Sequence, residues 1–274
     1  MNHHHQFAGE PSETSVTVRW INPAGHDEWD APIAQFLHAV KQPSTTVELV
    51  SLALNPTPRH LEYRTYESMI VDRTVAIARD CATSGIDAMV IGCFYDPALE
   101  AAREISGETV VVAPCQASVQ IAMNLANRFS VIVGRHKWIE QMTERVRTYG
   151  VIDHLASMRA VGMGVEEFQK EPEVTRRRII DAAKRAVEED HAEAIILGCT
   201  MEFGFFAEVQ KEVGVPVIDP VLAAFKMAES LAKLKKQFNW TPSRVWSCEP
   251  PSEDEIERFG LFKGPSPIGN LLKV

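Results

Sequence analysis

Residues 194–220, AIILGCTMEFGFFAEVQKEVGVPVIDP, decide the fold. The stretch opens on a short apolar run, turns at Gly198-Cys199, continues with a helix-length segment and closes on a second apolar run before Pro220. That is a strand, a crossover helix and another strand, the unit that parallel pairing requires. Residues 88–114, AMVIGCFYDPALEAAREISGETVVVAP, repeat it. Overlaid without a gap, the copies align Gly92 with Gly198, Cys93 with Cys199, Ala101 with Ala207, Val111 with Val217, Pro114 with Pro220 and Ala117 with Ala223, a period of 106 residues. This is too long for a solenoid and reads as two related lobes.

The rest of the chain keeps the same alternation. Residues 15–21 (SVTVRWI) read as a strand that ends at the breaker Asn22-Pro23-Ala24-Gly25, and residues 45–54 as a second strand opening into a stiff polar loop through Glu62. Helical spacing predicts helices over 32–41, 66–84, 97–105, 116–127, 137–149, 174–189 and 221–236, with further strands at 109–113, 130–134, 155–161 and 215–219. Strands alternating with such helices make the fold class α/β, with two similar doubly wound parallel-sheet lobes related by pseudo-two-fold symmetry. The expected boundaries are a disordered tail at 1–15, a first lobe at 16–114 completed by about 218–236, a second lobe at 115–217 and a C-terminal arm at 237–274. The arm carries Trp240 and Trp246, which pack on its own core or on a neighbouring subunit, and its charge run 253–258 reads as a solvated helix face.

A hydrophobic content of 45% with 24% charged residues supports a sizeable core and excludes disorder of the whole chain. The net charge of −9, with scattered Lys and Arg, gives no broad cationic surface for nucleic acid or anionic membrane. No apolar run is long enough to span a bilayer, and the first residues have no secretory signal core, so a small-molecule partner in the cytoplasm is expected. The His3-His4-His5 tract reads as solvated tail. Five cysteines, odd in number and without a CxxC pair, argue against a disulfide framework or a zinc site and for a reducing compartment.

In open α/β sheets, ligands sit beyond the carboxyl ends of the strands, facing helix N-termini. Cys93 and Cys199 both stand there, and a helix directly behind each would lower its pKa from about 8.5 toward neutrality. One strand-end cysteine is ordinarily a small buried hydrophobe. Two at equivalent places of a repeat put thiols on opposite walls of one cleft, which suits inversion of an acidic carbon, one thiolate removing the proton and one thiol returning it. The backbone N–H groups of Phe94 and Thr200 are placed to stabilise an enolate-like intermediate, without metal or organic cofactor. Cys81 reads as core, and Cys115 as a pocket-lining residue without a proton to carry.

These segments resemble the aspartate/glutamate/hydantoin racemase superfamily, most closely its hydantoin racemase branch. The resemblance is carried by IGCFYDPALEAARE (91–104), LGCTMEF (197–203), GVPVIDPVLAAFKMAE (214–229), Arg128-Phe129-Ser130-Val131 and Ala156-Ser157-Met158-Arg159. It implies a cofactor-independent, homo-oligomeric racemase or epimerase with Cys93 and Cys199 as acid/base pair, and a pocket including Asn22, Phe94, Tyr95, Gln116, Thr200 and Glu62. Where the branch reads Asn-Pro-Asn-Thr, this chain reads Asn22-Pro23-Ala24-Gly25-His26, and a common Glu is replaced by Gln116. Cys93-Phe94-Tyr95, in place of the Cys-Asn-Thr of free amino-acid racemases, favours a ring or aromatic ligand over a bare α-carboxylate. The same superfamily offers a second expectation, a decarboxylase or cis–trans isomerase of a small dicarboxylate. A ligand-binding protein without catalysis is a third. Glu62, with Arg59 and His60, is placed on a substrate-side loop or in a surface charge cluster. His26 reads as a loop histidine, and His191 lies away from the cleft.

Overall fold

The computed structural model describes residues 14–53 and 57–274; the histidine tract, residues 1–13 of the expected tail and loop positions 54–56 lie outside them. In chain order, β1 (Val16–Asn22), α1 (Asp30–Val40), β2 (Thr45–Leu52), α2 (Arg64–Ser68), α3 (Val71–Thr83), β3 (Ala88–Ile91), α4 (Leu99–Ile105) and β4 (Val110–Val112) come first. α5 (Pro114–Leu125) leads to β5 (Phe129–Val133), α6 (Trp138–Thr148), β6 (Leu155–Ala160), α7 (Pro172–Glu188), β7 (Ala194–Leu197), α8 (Phe206–Val213) and β8 (Val217–Ile218). α9 (Pro220–Phe238), α10 (Glu253–Phe259) and β9 (Ile268–Lys273) complete the chain.

The strands form two sheets, ordered β4-β3-β1-β2-β9 and β6-β5-β7-β8. Reversing the second gives β8-β7-β5-β6, so β5 to β8 repeat the arrangement of β1 to β4. Pairing among these eight strands is parallel throughout. The register repeats too: Ile21 faces Ile91 just before Gly92, and Ile132 faces Leu197 just before Gly198.

Their near-continuous apolar runs exist because both sheet faces are covered. In the first sheet Val18, Trp20 and Val90 point into one core cluster, while Ile21, Met89 and Ile91 point into another. The first cluster also takes in Phe129, Val131, Ile196 and the buried faces of α5 and α9, so one core runs from sheet to sheet. Each such side chain contributes about 1.5–3 kcal/mol on burial. That continuous core holds the mouth between the sheets in a set geometry.

Four expectations change. The helix expected over 66–84 is two, α2 and α3, with buried Ile70 turned into the core between them. The first sheet is not wholly parallel: the arm supplies β9, which pairs antiparallel with β2 and stops that edge from being open. Trp240 and Trp246 of the arm are exposed, at 66% and 87%, and so do not pack on this chain's own core, whereas the charge run does form a solvated helix face, α10, which buries only Ile256. Finally, the helices after the two cysteines start late, at Leu99 and Phe206, with turns and a short 3-10 segment intervening.

Both Gly-Cys pairs have a steric cause. The amide of Gly92 donates to Ile21 O at 2.8 Å, and that of Gly198 to Ile132 O at 2.7 Å. A Cβ would lie 2.5 Å from the same carbonyl oxygen in each case. These carbonyls belong to central strands and have nowhere to go. Gly198→Ala is therefore expected to lower stability by about 2–3 kcal/mol, read as a drop in the urea midpoint, and an unchanged midpoint would contradict the packing argument.

Candidate active site

The carboxyl ends of both sheets open on one cavity of about 200 Å³, lined by Cys93 and Cys199 together. It is sized for a small molecule rather than a polymer segment. Its walls are largely apolar, with Trp29, Ile33, Phe94, Trp138, Met142 and Met201 contributing, and its polar lining includes Asn22, His60, Glu62 and Tyr95 together with the charged Glu28, Arg59, Glu166 and Lys170. The two cysteine loops touch directly: Thr200 Oγ1 donates to Gly92 O at 3.1 Å. The backbone N–H of the residue two places on, Tyr95 for Cys93 and Met201 for Cys199, favours each thiolate. Those two donors are themselves equivalent in the repeat.

The expected lowering of the thiol pKa does not occur. Burial pushes Cys93 up to about 12, with the Tyr95 N–H opposing it, and burial pushes Cys199 well above the usual thiol range, with Glu202 adding to the effect. Burial is the cause, and α4 and α8 start too far along the chain for their termini to oppose it. A helix terminus acts within its first turn, and here the thiols face apolar walls instead. A charge on Cys93 also raises Cys199, so the first ionisation opposes the second.

The loop after Cys93 is bent sharply, with Asp96 and Ala98 at φ of 50° and 58°. Asp96 holds it: its carboxylate accepts from the amides of Cys115 (2.8 Å) and Gln116 (2.9 Å) and from the Tyr149 hydroxyl (2.5 Å). Burial raises its pKa to about 6, those donors opposing the rise. Arg145 of α6 adds hydrogen bonds to the carbonyls of Tyr95 (2.8 Å) and Asp96 (3.0 Å). On the other wall Glu202 is fully buried, accepts from the Cys199 amide at 3.2 Å and leaves Oε1 without a hydrogen-bond partner among the described residues. Asp96, Arg145, Tyr149 and Glu202 were not read from the sequence. The signal for two of them was there, since the ungapped overlay sets Asp96 on Glu202.

Of the other expected residues, Asn22, Phe94, Tyr95, Thr200 and Glu62 line the cavity, and Gln116 does not. The Gln116 side chain accepts from Arg103 at 2.6 Å on the far side of Asp96. Cys115 is likewise outside the lining, fully buried at the start of α5. Thr200 spends its hydroxyl on Gly92. Glu62 is 6% exposed and bridges the sheets, accepting from Arg135 (2.7 Å) and the Val165 amide (2.9 Å), so it shapes the wall more than it offers a free oxygen. The Tyr95 hydroxyl has no partner among the described residues, and burial raises its pKa, so it remains a donor. The Phe94 amide makes no hydrogen bond among the described residues. His26, also in the lining, meets the Arg59 carbonyl at 3.1 Å. Gly25 sits where a Cβ would strike Thr57 at 2.5 Å, which is why the first loop has no room for a larger residue there. Among the described residues no group of three or more His, Cys, Asp or Glu is arranged to hold a metal ion, and no helix is long and apolar enough to cross a membrane.

A family model described as Asp/Glu/Hydantoin racemase matches residues 20–228. The chain belongs to the Asp/Glu/hydantoin racemase family. Within the family it is 38% identical over 216 residues to a hydantoin racemase of Rhizobium meliloti, covering 78% of this chain and 88% of that one. It is 34% identical over 228 residues to a hydantoin racemase of Pseudomonas sp. (strain NS671), covering 81% and 90%. Among solved structures, allantoin racemase from Klebsiella pneumoniae superposes with a TM-score of 0.80 at 28% identity, covering 87% of this chain and 95% of that one. The family's two-sheet α/β fold is thus this chain's fold, and α10 and β9 lie beyond the matched residues.

Proposed function

We propose that the protein is an isomerase that racemises 5-substituted hydantoins by proton transfer between Cys93 and Cys199. The observation that carries this reading is the shared cavity: two Gly-Cys loops, equivalent in the repeat and tied by Thr200 to Gly92, open on one small apolar space. The thiolate of one cysteine takes the C5 proton, and the electron pair moves onto the adjacent ring carbonyl. The thiol of the other cysteine then delivers its proton to the opposite face, so the two exchange roles with each turnover. The Tyr95 hydroxyl and the Phe94 amide are the donors assigned to the developing enolate oxygen. The walls of Trp29, Ile33, Trp138 and Met142 favour an apolar substituent at C5. The reading takes the enzyme to work without a cofactor as a cytoplasmic homo-oligomer; five unpaired cysteines and the exposed Trp240 and Trp246 support those two attributes.

Incubating one enantiomer of a 5-substituted hydantoin with the protein in D₂O is expected to abolish optical rotation and place deuterium at C5. Absence of both, across substituents from methyl to benzyl, would contradict the reading. The alternative of a decarboxylase or cis–trans isomerase has an equally direct signature, since it consumes malonates or maleate and leaves hydantoins unchanged.

A further inference from the structure

The C-terminal arm reaches the cavity through a chain of three polar side chains. Asn22, at the end of β1, lines the cavity and donates through Nδ2 to Asp30 Oδ1 at 3.0 Å. Asp30, the first residue of α1, is 1% exposed, and its other oxygen accepts from Nδ2 of Asn270 at 2.8 Å. Asn270 belongs to β9. The sheet register explains how an arm residue gets there: Asn22 pairs with Ser51, and Ser51 with Asn270, so the three stand in one row across β1, β2 and β9. The register shifts immediately after Ser51, and next to Asn270 the chain has Gly269, where a Cβ would lie 2.6 Å from Leu52 O. The bulge and the glycine together let β9 approach closely enough for the contact.

A carboxylate only accepts, so both asparagines must turn their NH₂ groups toward Asp30. Asn22 Oδ1 is then left on the other side, where no described residue donates to it. We propose that Asn270 is a positioning residue for the active site, holding Asp30 so that the Asn22 carboxamide presents its oxygen to the cavity as a hydrogen-bond acceptor. The group this acceptor selects is a ligand N–H, as on a ring imide or ureide, and it disfavours a carboxylate oxygen. This deepens the proposed function and rests on its placing of the substrate against Asn22. Without Asn270 a nearly inaccessible Asp30 oxygen loses its donor and the carboxylate is free to turn, taking Asn22 with it.

The test compares Asn270→Ala, Asn22→Ala and the double variant with a 5-substituted hydantoin as substrate. Asn270→Ala is expected to raise KM about tenfold with kcat nearly unchanged, and to have no further effect in the Asn22→Ala background. Asn270→Asp places a second carboxylate against Asp30, and the pair share a proton only at acid pH. Its KM therefore rises with pH, a dependence that a purely structural role for the arm does not produce. An unchanged KM in Asn270→Ala, or an effect that adds in full to that of Asn22→Ala, overturns the proposal. Should wild-type protein move no hydantoin proton, the functional reading falls separately. The side-chain amide protons of Asn22, followed by NMR hydrogen exchange, then decide the tie: slow in wild type and fast in Asn270→Ala supports it, and equal rates overturn it.

Discussion

Cys93→Ala and Cys199→Ala are each expected to lose racemisation by about a thousandfold or more, while each still exchanges the C5 proton of one enantiomer with D₂O. A planar intermediate has two faces, and the repeat supplies one thiol for each. The thiol loops come from different sheets, and the amide two residues on favours each thiolate, Tyr95 in one case and Met201 in the other. With one thiol gone, the remaining thiolate removes and returns a proton on its own side only. The exchange then runs without inversion, and the enantiomer that each variant labels identifies the face its surviving cysteine serves. Cys248→Ser, at an exposed cysteine of the arm, is the control expected to match wild type. Racemisation at the wild-type rate in either alanine variant would overturn the two-thiol mechanism, whatever the exchange data show.

The second expected result is a rate that climbs with pH instead of levelling near neutrality. Cys93 is pushed up to about 12 by burial and Cys199 is raised well above the usual thiol range, so between pH 7 and 9 the reactive thiolate is a minor species that grows about tenfold per pH unit. The corresponding rise in kcat/KM is about a hundredfold over that range. A base this strong is better matched to a weakly acidic carbon than a thiolate titrating near 7, which offsets its small population. Because ionisation of one thiol opposes that of the other, the singly ionised pair is favoured, and it holds the base and acid that one turnover needs. The direct check is the far-ultraviolet thiolate absorbance of wild type minus Cys93→Ser. A step centred near pH 7 would show that burial does not dominate. The same shift has a consequence for stability. The folded thiol binds its proton more tightly than the unfolded one, so its contribution is intact below the ordinary thiol pKa of about 8.5 and is lost as pH rises toward 12.

Much of the fold was legible because it is periodic. Apolar runs such as AMVI and AIIL bounded by breakers read as strands, and the ungapped overlay of Cys93 on Cys199 showed one arrangement used twice, which the matching strand orders of the two sheets repeat. Phe94 and Thr200 were placed at the cavity from the same logic, since strand ends face the ligand in this architecture, whereas Asn22, Tyr95 and Glu62 came from the family resemblance. Gln116 failed for a local reason: Asp96 and Arg103 claim its amide and its side chain, and no spacing rule reports competition between partners. The arm failed differently. IGNLLK is a short mixed segment with no clear alternation, and only the open edge of β2 makes it a strand.

From sequence alone came the duplication, the two parallel-sheet lobes, the pairing of two thiols across one space and the family resemblance, all consequences of the pattern of residues along the chain. Three-dimensional packing decided the rest. It set the thiols against apolar walls and kept the helices too far off to acidify them, because helix starts depend on how Asp96 and Glu202 tie down each loop. It also brought Asn270 to within one carboxylate of Asn22, across 248 residues of chain that no local rule connects.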